Sequence, residues 1–150
     1  MTSRIESAVE CFSRGYNCAQ AVFSTYAPVL GIPEEEALRV STGFGAGMGR
    51  LQEVCGAVTG AFMLIGCKHS MVEPTDSATK EEAYALERQF AQCFRGLNGS
   101  ILCKDLLHCD LTTQEGKKFF TENNLATTVC KRCVRDAATL AEEMLFGPVR

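Results

Sequence analysis

Apolar residues recur along this chain at spacings of three and four, and strict apolar–polar alternation never persists long enough to suggest a strand. The pattern predicts an all-α fold, one helical bundle of six or seven helices over residues 1–150, with a glycine-rich loop between helices. A first helix over about Ser3–Arg14 ends at Gly15, suited to a left-handed cap. A second begins after Asn17, carries Cys18, Val22, Thr25, Tyr26 and Val29 on one face, and stops at Gly31. Pro33 opens a third with Glu34, Glu35 and Glu36 in its first turn, where acids suit the helix dipole. The fourth holds Cys55, Gly56, Ala57, Gly60 and Ala61, whose small side chains admit close approach of a neighbouring helix.

After a polar connection over Lys68–Ser77, Thr79 and Glu82 have capping-box spacing ahead of a long amphipathic helix. Its buried stripe reads Ala83, Leu86, Phe90, Phe94 and Leu97, with Cys93 beside it as a small core hydrophobe. A break at Asn98-Gly99-Ser100 precedes a short helix through Leu107. Thr112 and Glu115 then predict a capped helix to about Asn123. The last helix, about Val129–Phe146, aligns Cys130, Val134, Ala137, Ala141, Met144 and Leu145 on one face. No internal repeat or low-complexity tract interrupts this order.

Composition changes the picture little. The 46% hydrophobic and 22% charged residues are ordinary for a globular domain, and a net charge of −3 without a basic run argues against nucleic-acid partners. The amino terminus lacks the apolar run of a secretory leader, which leads us to expect a cytoplasmic protein. The longest apolar stretch, near Ala57–Gly66, is well short of the ~20 residues of a membrane span, so no membrane partner is expected.

The cysteines change it most. There are nine, an odd number, which fits a reducing compartment where clustered thiols bind metal or cycle redox state. Cys18 follows Asn17, Cys103 lies three residues after Ser100, and Cys130 follows Thr127 and Thr128. Asn, Ser and Thr are favoured N-caps, and the helix dipole at such a position favours the thiolate. Cys55 has only glycines before it and is the weakest of the set by this criterion. Gly45, Gly47 and Gly49, part of a run with glycine at every second position from Gly43, are candidate cofactor-binding residues that could cradle an anion. No strand precedes them, so a purely conformational role is the simpler expectation.

Several of these segments together resemble the C_GCAxxG_C_C family of redox-active proteins. The pieces are Gly15-Tyr16-Asn17-Cys18-Ala19, Cys55-Gly56-Ala57-Val58-Thr59-Gly60, Ser100-Ile101-Leu102-Cys103-Lys104-Asp105-Leu106-Leu107, and Cys130. The resemblance spans nearly the whole chain and implies a redox or metal role for Cys18, Cys55, Cys103 and Cys130 without naming a reaction or substrate. The pattern is also related to that of split-Soret cytochromes c, but no Cys-x-x-Cys-His is present, so c-type haem is not expected. His108 stands where the family pattern leads us to expect glycine, which questions the turn before Cys109 and offers an extra ligand.

The four cysteines are too widely spaced for a zinc finger or ferredoxin, whose ligands come in local pairs, so any site must be assembled by folding. An iron–sulfur cluster, zinc or a reversible disulfide are its candidate contents. Cys109, Cys133 and His108 form a second tier; Cys133 could resolve an oxidised Cys130 across the Cys130-Lys131-Arg132-Cys133 pair. Cys11, Cys67 and Cys93 are read as structural, and His69 as a surface or loop residue. The leading expectation is a redox-active protein serving an unidentified redox partner. The rivals are a structural zinc module without turnover, and a scaffold whose cysteines only fill the core and which forms a homodimer through an exposed apolar helix face.

Overall fold

The computed structural model describes residues 1–147. The fold is all-α, 73% helical, with eight helices and no strand among the described residues. In chain order these are α1 (Ile5–Ser13), α2 (Cys18–Tyr26), α3 (Glu34–Ser41), α4 (Gly56–Lys68), α5 (Ser77–Asn98), α6 (Cys103–Leu107), α7 (Gln114–Glu122) and α8 (Lys131–Leu145). No helix among these residues is long and apolar enough to cross a membrane.

Helix α4 is the axle. It is apolar all round, as a helix enclosed by others must be, and Ala57, Val58, Ala61, Leu64 and Ile65 are fully buried. Its most extensive partner is α2, with α8 and α5 against its other sides and α1 packed on α2 and α8. Gly56 and Gly60 make the α2 contact possible. A Cβ on Gly60 would lie 2.8 Å from the Ala19 carbonyl oxygen, and one on Gly56 2.9 Å from the Ala19 nitrogen. Phe90 and Phe94 of α5 and Val134, Ala137 and Ala141 of α8 complete the core.

The helix starts differ from the sequence expectation in instructive ways. Asn17 caps α2 as expected: its side chain accepts from the Gln20 amide (2.9 Å), and Gln20 Oε1 accepts from the Asn17 amide (3.1 Å). The same two side chains donate to the carbonyls of Thr42 and Leu38, which ties the start of α2 to the end of α3. Helix α5 is capped by Asp76, which accepts from the Thr79 amide, so Thr79 is an interior residue and not the cap. Thr113 and not Thr112 caps α7, through the Gly116 amide. Both errors are offsets of a few residues among adjacent polar side chains that satisfy the capping requirement equally well. Cys93, Leu97 and Val29 are exposed and not core, because α5 and the turn after α2 lie at the surface there.

The glycine-rich segment is a left-handed turn. Ala46, Gly47, Met48, Gly49 and Arg50 all have φ between 54° and 68°, and Gln52 follows at 56°. Left-handed backbone costs roughly 1–2 kcal/mol for each residue with a Cβ, so Ala46, Met48, Arg50 and Gln52 must be held there by their surroundings. Backbone bonds from Gly49 to Gly45 (2.9 Å), Gln52 to Ala46 (3.2 Å) and Glu53 to Gly47 (3.0 Å) close the turn. The nearly buried Gln52 side chain clamps it, donating to the Cys109 carbonyl and accepting from the Leu111 amide, both at 2.8 Å.

Candidate functional site

The turn, the starts of α2, α4 and α6, and the first part of α8 meet at one end of the bundle around a cavity of about 170 Å³. Cys18, Cys55, Cys103, Cys130 and Cys133 all line it. Apart from Asn17, the rest of its wall is apolar, chiefly Phe12, Leu106, Leu107, Leu111, Phe120 and Val129, with no charged side chain among the described residues. The four cysteines singled out in the sequence are therefore brought together, and Cys133 joins them.

Each sulfur arrives by a different local device. Cys18 occupies the first position of α2 after its Asn17 cap. Cys55 does not follow a cap; it stands at the N-cap position of α4 itself, its carbonyl accepting from the Val58 (2.9 Å) and Thr59 (3.0 Å) amides. Looking for a cap before Cys55 missed that the cysteine holds that position. Cys103 opens α6, with Leu102 and not Ser100 at the cap position; the Ser100 hydroxyl instead accepts from the Leu102 amide. Two antiparallel extended stretches join these helix starts, the Cys55 amide donating to the Ile101 carbonyl (2.7 Å) and the Cys103 amide to the Glu53 carbonyl (2.7 Å). Cys55 and Cys103 are thereby fixed side by side.

Cys130 overturns its expectation. A five-residue π turn, Ala126–Cys130, runs straight into α8, so Cys130 sits within continuous helix and has no free amides of a first turn around it. Thr128 donates its hydroxyl to the Asn124 carbonyl and caps nothing. Cys133 is the more deeply buried member of the pair, 1% exposed and on the same cavity wall as Cys55.

The electrostatics single out Cys55. The neighbouring Cys133 and Cys18 thiols, and after them the nearby Ala57 and Val58 amides, lower the Cys55 thiol well below the ordinary range, against the opposing effect of burial. The neighbours shift the opposite way. Cys18 is raised by its bonds to Cys130 and Cys55 and by desolvation, and Cys133 by its bond to Cys55 and by burial. Burial and the nearby Cys55 and Cys130 push Cys103 up to about 12, with Gln52 opposing. The pocket thus favours ionisation at Cys55 and disfavours it at Cys18, Cys103 and Cys133.

The remaining candidates lie around this centre. Cys109 is half-buried, and desolvation raises its thiol. His108 takes the left-handed conformation expected of the family's glycine (φ 56°) and caps α6, but its side chain is exposed and absent from the cavity wall. Gly47 is buried on the cavity wall, where a Cβ would lie 2.6 Å from the Gln52 Cα. A Cβ on Gly45 would meet the Asn17 side chain at 2.5 Å, and Gly49 faces open space. Cys11 is buried beside the Ser24 hydroxyl. Gln52 was not legible in the sequence as a site residue, since nothing marks a glutamine in a loop as left-handed and buried. All nine cysteines are free, and no group of three or more His, Cys, Asp or Glu among the described residues has metal-site geometry.

No curated protein and no solved structure is significantly similar to the chain. A family model described as "Putative redox-active protein (C_GCAxxG_C_C)" matches residues 16–144, which run from the residue before Asn17 to the last turn of α8 and include every cysteine of the cavity. The chain belongs to the C_GCAxxG_C_C family of redox-active proteins.

Proposed function

We propose that this redox role is carried by reversible thiol–disulfide exchange in a reducing, cytoplasmic compartment, with Cys55 as the attacking thiolate. The observation that carries the reading is the gathering of Cys18, Cys55, Cys103, Cys130 and Cys133 around one apolar cavity, with Cys55 at the N-cap position of α4 and its thiol lowered well below the ordinary range. A thiolate so held attacks one sulfur of a disulfide RS–SR, forming a Cys55–S–S–R bond and releasing RS⁻. The Cys133 sulfur then attacks Cys55, releasing the second RS⁻, while the Cys133 proton passes to a departing thiolate. The substrate gains two electrons and the protein holds a Cys55–Cys133 disulfide. Cys18, on the same cavity wall as Cys55, is the alternative resolving thiol, and Cys103 and Cys130 complete the sulfur-lined wall. Gly47, with Gly45 and Gly49 in the same turn, shapes that wall and need not bind a cofactor.

A second reading is favoured by the all-sulfur donor set. Cys18, Cys55, Cys103 and Cys130 would suit a soft metal such as zinc or an iron–sulfur cluster, which would supply a structural cross-link or one-electron transfer respectively. Anaerobic purification with iron, sulfide and zinc analysis separates the readings. The exchange reading expects no stoichiometric metal and a loss of two titratable thiols on mild oxidation, with a smaller loss in Cys55→Ser. Stoichiometric iron and sulfide, or zinc, together with protected thiols, overturns it.

A further inference from the structure

The thiol cavity shares part of its wall with a second concavity. A larger groove of about 650 Å³ runs beside it, and Phe12, Asn17, Ala46, Leu111 and Phe120 line both. Three cations from three separate elements line this groove: Arg50 from the left-handed turn, Lys117 from α7 and Lys131 from α8. None of the three makes an ion pair, and no carboxylate lines the groove, among the described residues. The Arg14 guanidinium lies 5.6 Å from the ring centre of Tyr16, another lining residue, and adds positive charge at the rim. In a chain whose net charge is −3, a groove with three unpaired cations and no acid is a local reversal of sign.

We infer that this groove is the entrance to the thiol centre and selects small disulfides and thiols that carry carboxylates. The inference rests on the exchange reading above. Its volume lies in the range of small-molecule sites and accommodates a molecule of up to tripeptide size. The apolar partition then admits the sulfur end toward Cys55 while the carboxylate arms stay with Arg50, Lys117 and Lys131. The exchange is the one already balanced, with R an anionic arm. Opposite charge in a groove raises the local concentration of such a substrate, and salt weakens that effect.

The test uses three disulfides of similar size, 3,3′-dithiodipropionate, 2-hydroxyethyl disulfide and cystamine, which are anionic, neutral and cationic. The rate at which each oxidises the reduced full-length protein is normalised to its rate with 2-mercaptoethanol. At low ionic strength the anionic compound should lead the cationic one by on the order of ten-fold. The lead should shrink in high salt and invert in the double variant Lys117→Glu/Lys131→Glu. Equal normalised rates for all three in the wild type, with normal oxidation of Cys55, overturn the groove assignment and leave the exchange reading standing. If none of the three oxidises Cys55, the exchange reading fails instead. The groove is then decided by NMR titration of Cys55→Ser with dithiodipropionate: shifts confined to Arg50, Lys117 and Lys131 sustain it, and no saturable shifts there overturn it.

Discussion

At the scale of single residues, Cys55 is distinguished by position. Nine thiols share one chain, yet this one stands at the N-cap position of α4 on the wall of a cavity that it shares with four other cysteines, and its thiol is lowered well below the ordinary range. The consequence for reactivity is a thiolate that forms well below the ordinary thiol range in wild type and is absent from Cys55→Ser, read by ultraviolet titration of thiolate absorbance. If the two proteins titrate alike, Cys55 is not the ionised thiol.

The same shifts set a pH dependence of stability. For Cys55 the folded thiol is more acidic than the unfolded one, so its contribution is present above the ordinary thiol pKa and is lost as pH falls through the folded value. For Cys103 the folded value is raised from 9.0 to about 12, so its contribution is intact below about 9 and is lost as pH rises toward 12. Stability should therefore decline on the alkaline side by up to about 1.4 kcal/mol per pH unit for each raised thiol. Cys103→Ala should flatten that limb in urea denaturation between pH 9 and 11, whereas an unchanged slope would show that Cys103 ionises alike in both states.

At the scale of elements, the site depends on how closely α2 and α4 approach and on how their first turns are fixed. Gly60→Ala must displace the Ala19 carbonyl or Val22, and overpacking of this kind costs about 1–3 kcal/mol. Denaturant midpoints should show that loss, while Gly66→Ala, whose added Cβ meets nothing, should cost far less. Asn17→Ala removes a cap worth about 1 kcal/mol and also frees the α3 end from α2. Legibility in the sequence followed how local each signal was. The small-residue spacing of Gly56 and Gly60 and the Asn17 cap are written in a few neighbouring positions, and both were readable. The Cys55 cap was not, because a cysteine at a cap position looks like one before it; nor was the continuity of Ala126–Cys130 with α8, since a π turn has no distinctive spacing.

At the scale of the whole molecule, the end of the bundle opposite in role to the thiol centre is held by a buried carboxylate. Glu142 of α8 is fully buried and accepts from the Tyr26 hydroxyl (2.7 Å) and the Arg4 amide (2.6 Å), joining α8, α2 and the chain's start. Burial and the Glu142 carboxylate raise the Tyr26 phenol, which keeps it a donor. Tyr26→Phe leaves the carboxylate one partner short and should cost about 1–3 kcal/mol by denaturant unfolding, with the Cys55 titration unmoved. That pairing of Tyr26 with Glu142, 116 residues apart, was invisible in the sequence, as was the convergence of Cys133 on Cys55. The family pattern pointed to cysteines that belong together; only the packed helices decide which sulfur touches which.

Solvent access and pocket chemistry make opposite forecasts about which sulfur reacts first. Cys93 is the exposed cysteine, whereas Cys55 is 6% exposed but its thiol is lowered well below the ordinary range. Peptide mass mapping of the reduced protein after limited oxidation with a neutral disulfide therefore tests this account most directly. The first bond formed within the chain should join Cys55 to Cys133 or Cys18. Early capture of Cys93 as a mixed disulfide, with Cys55, Cys133 and Cys18 still reduced at longer times, would contradict it.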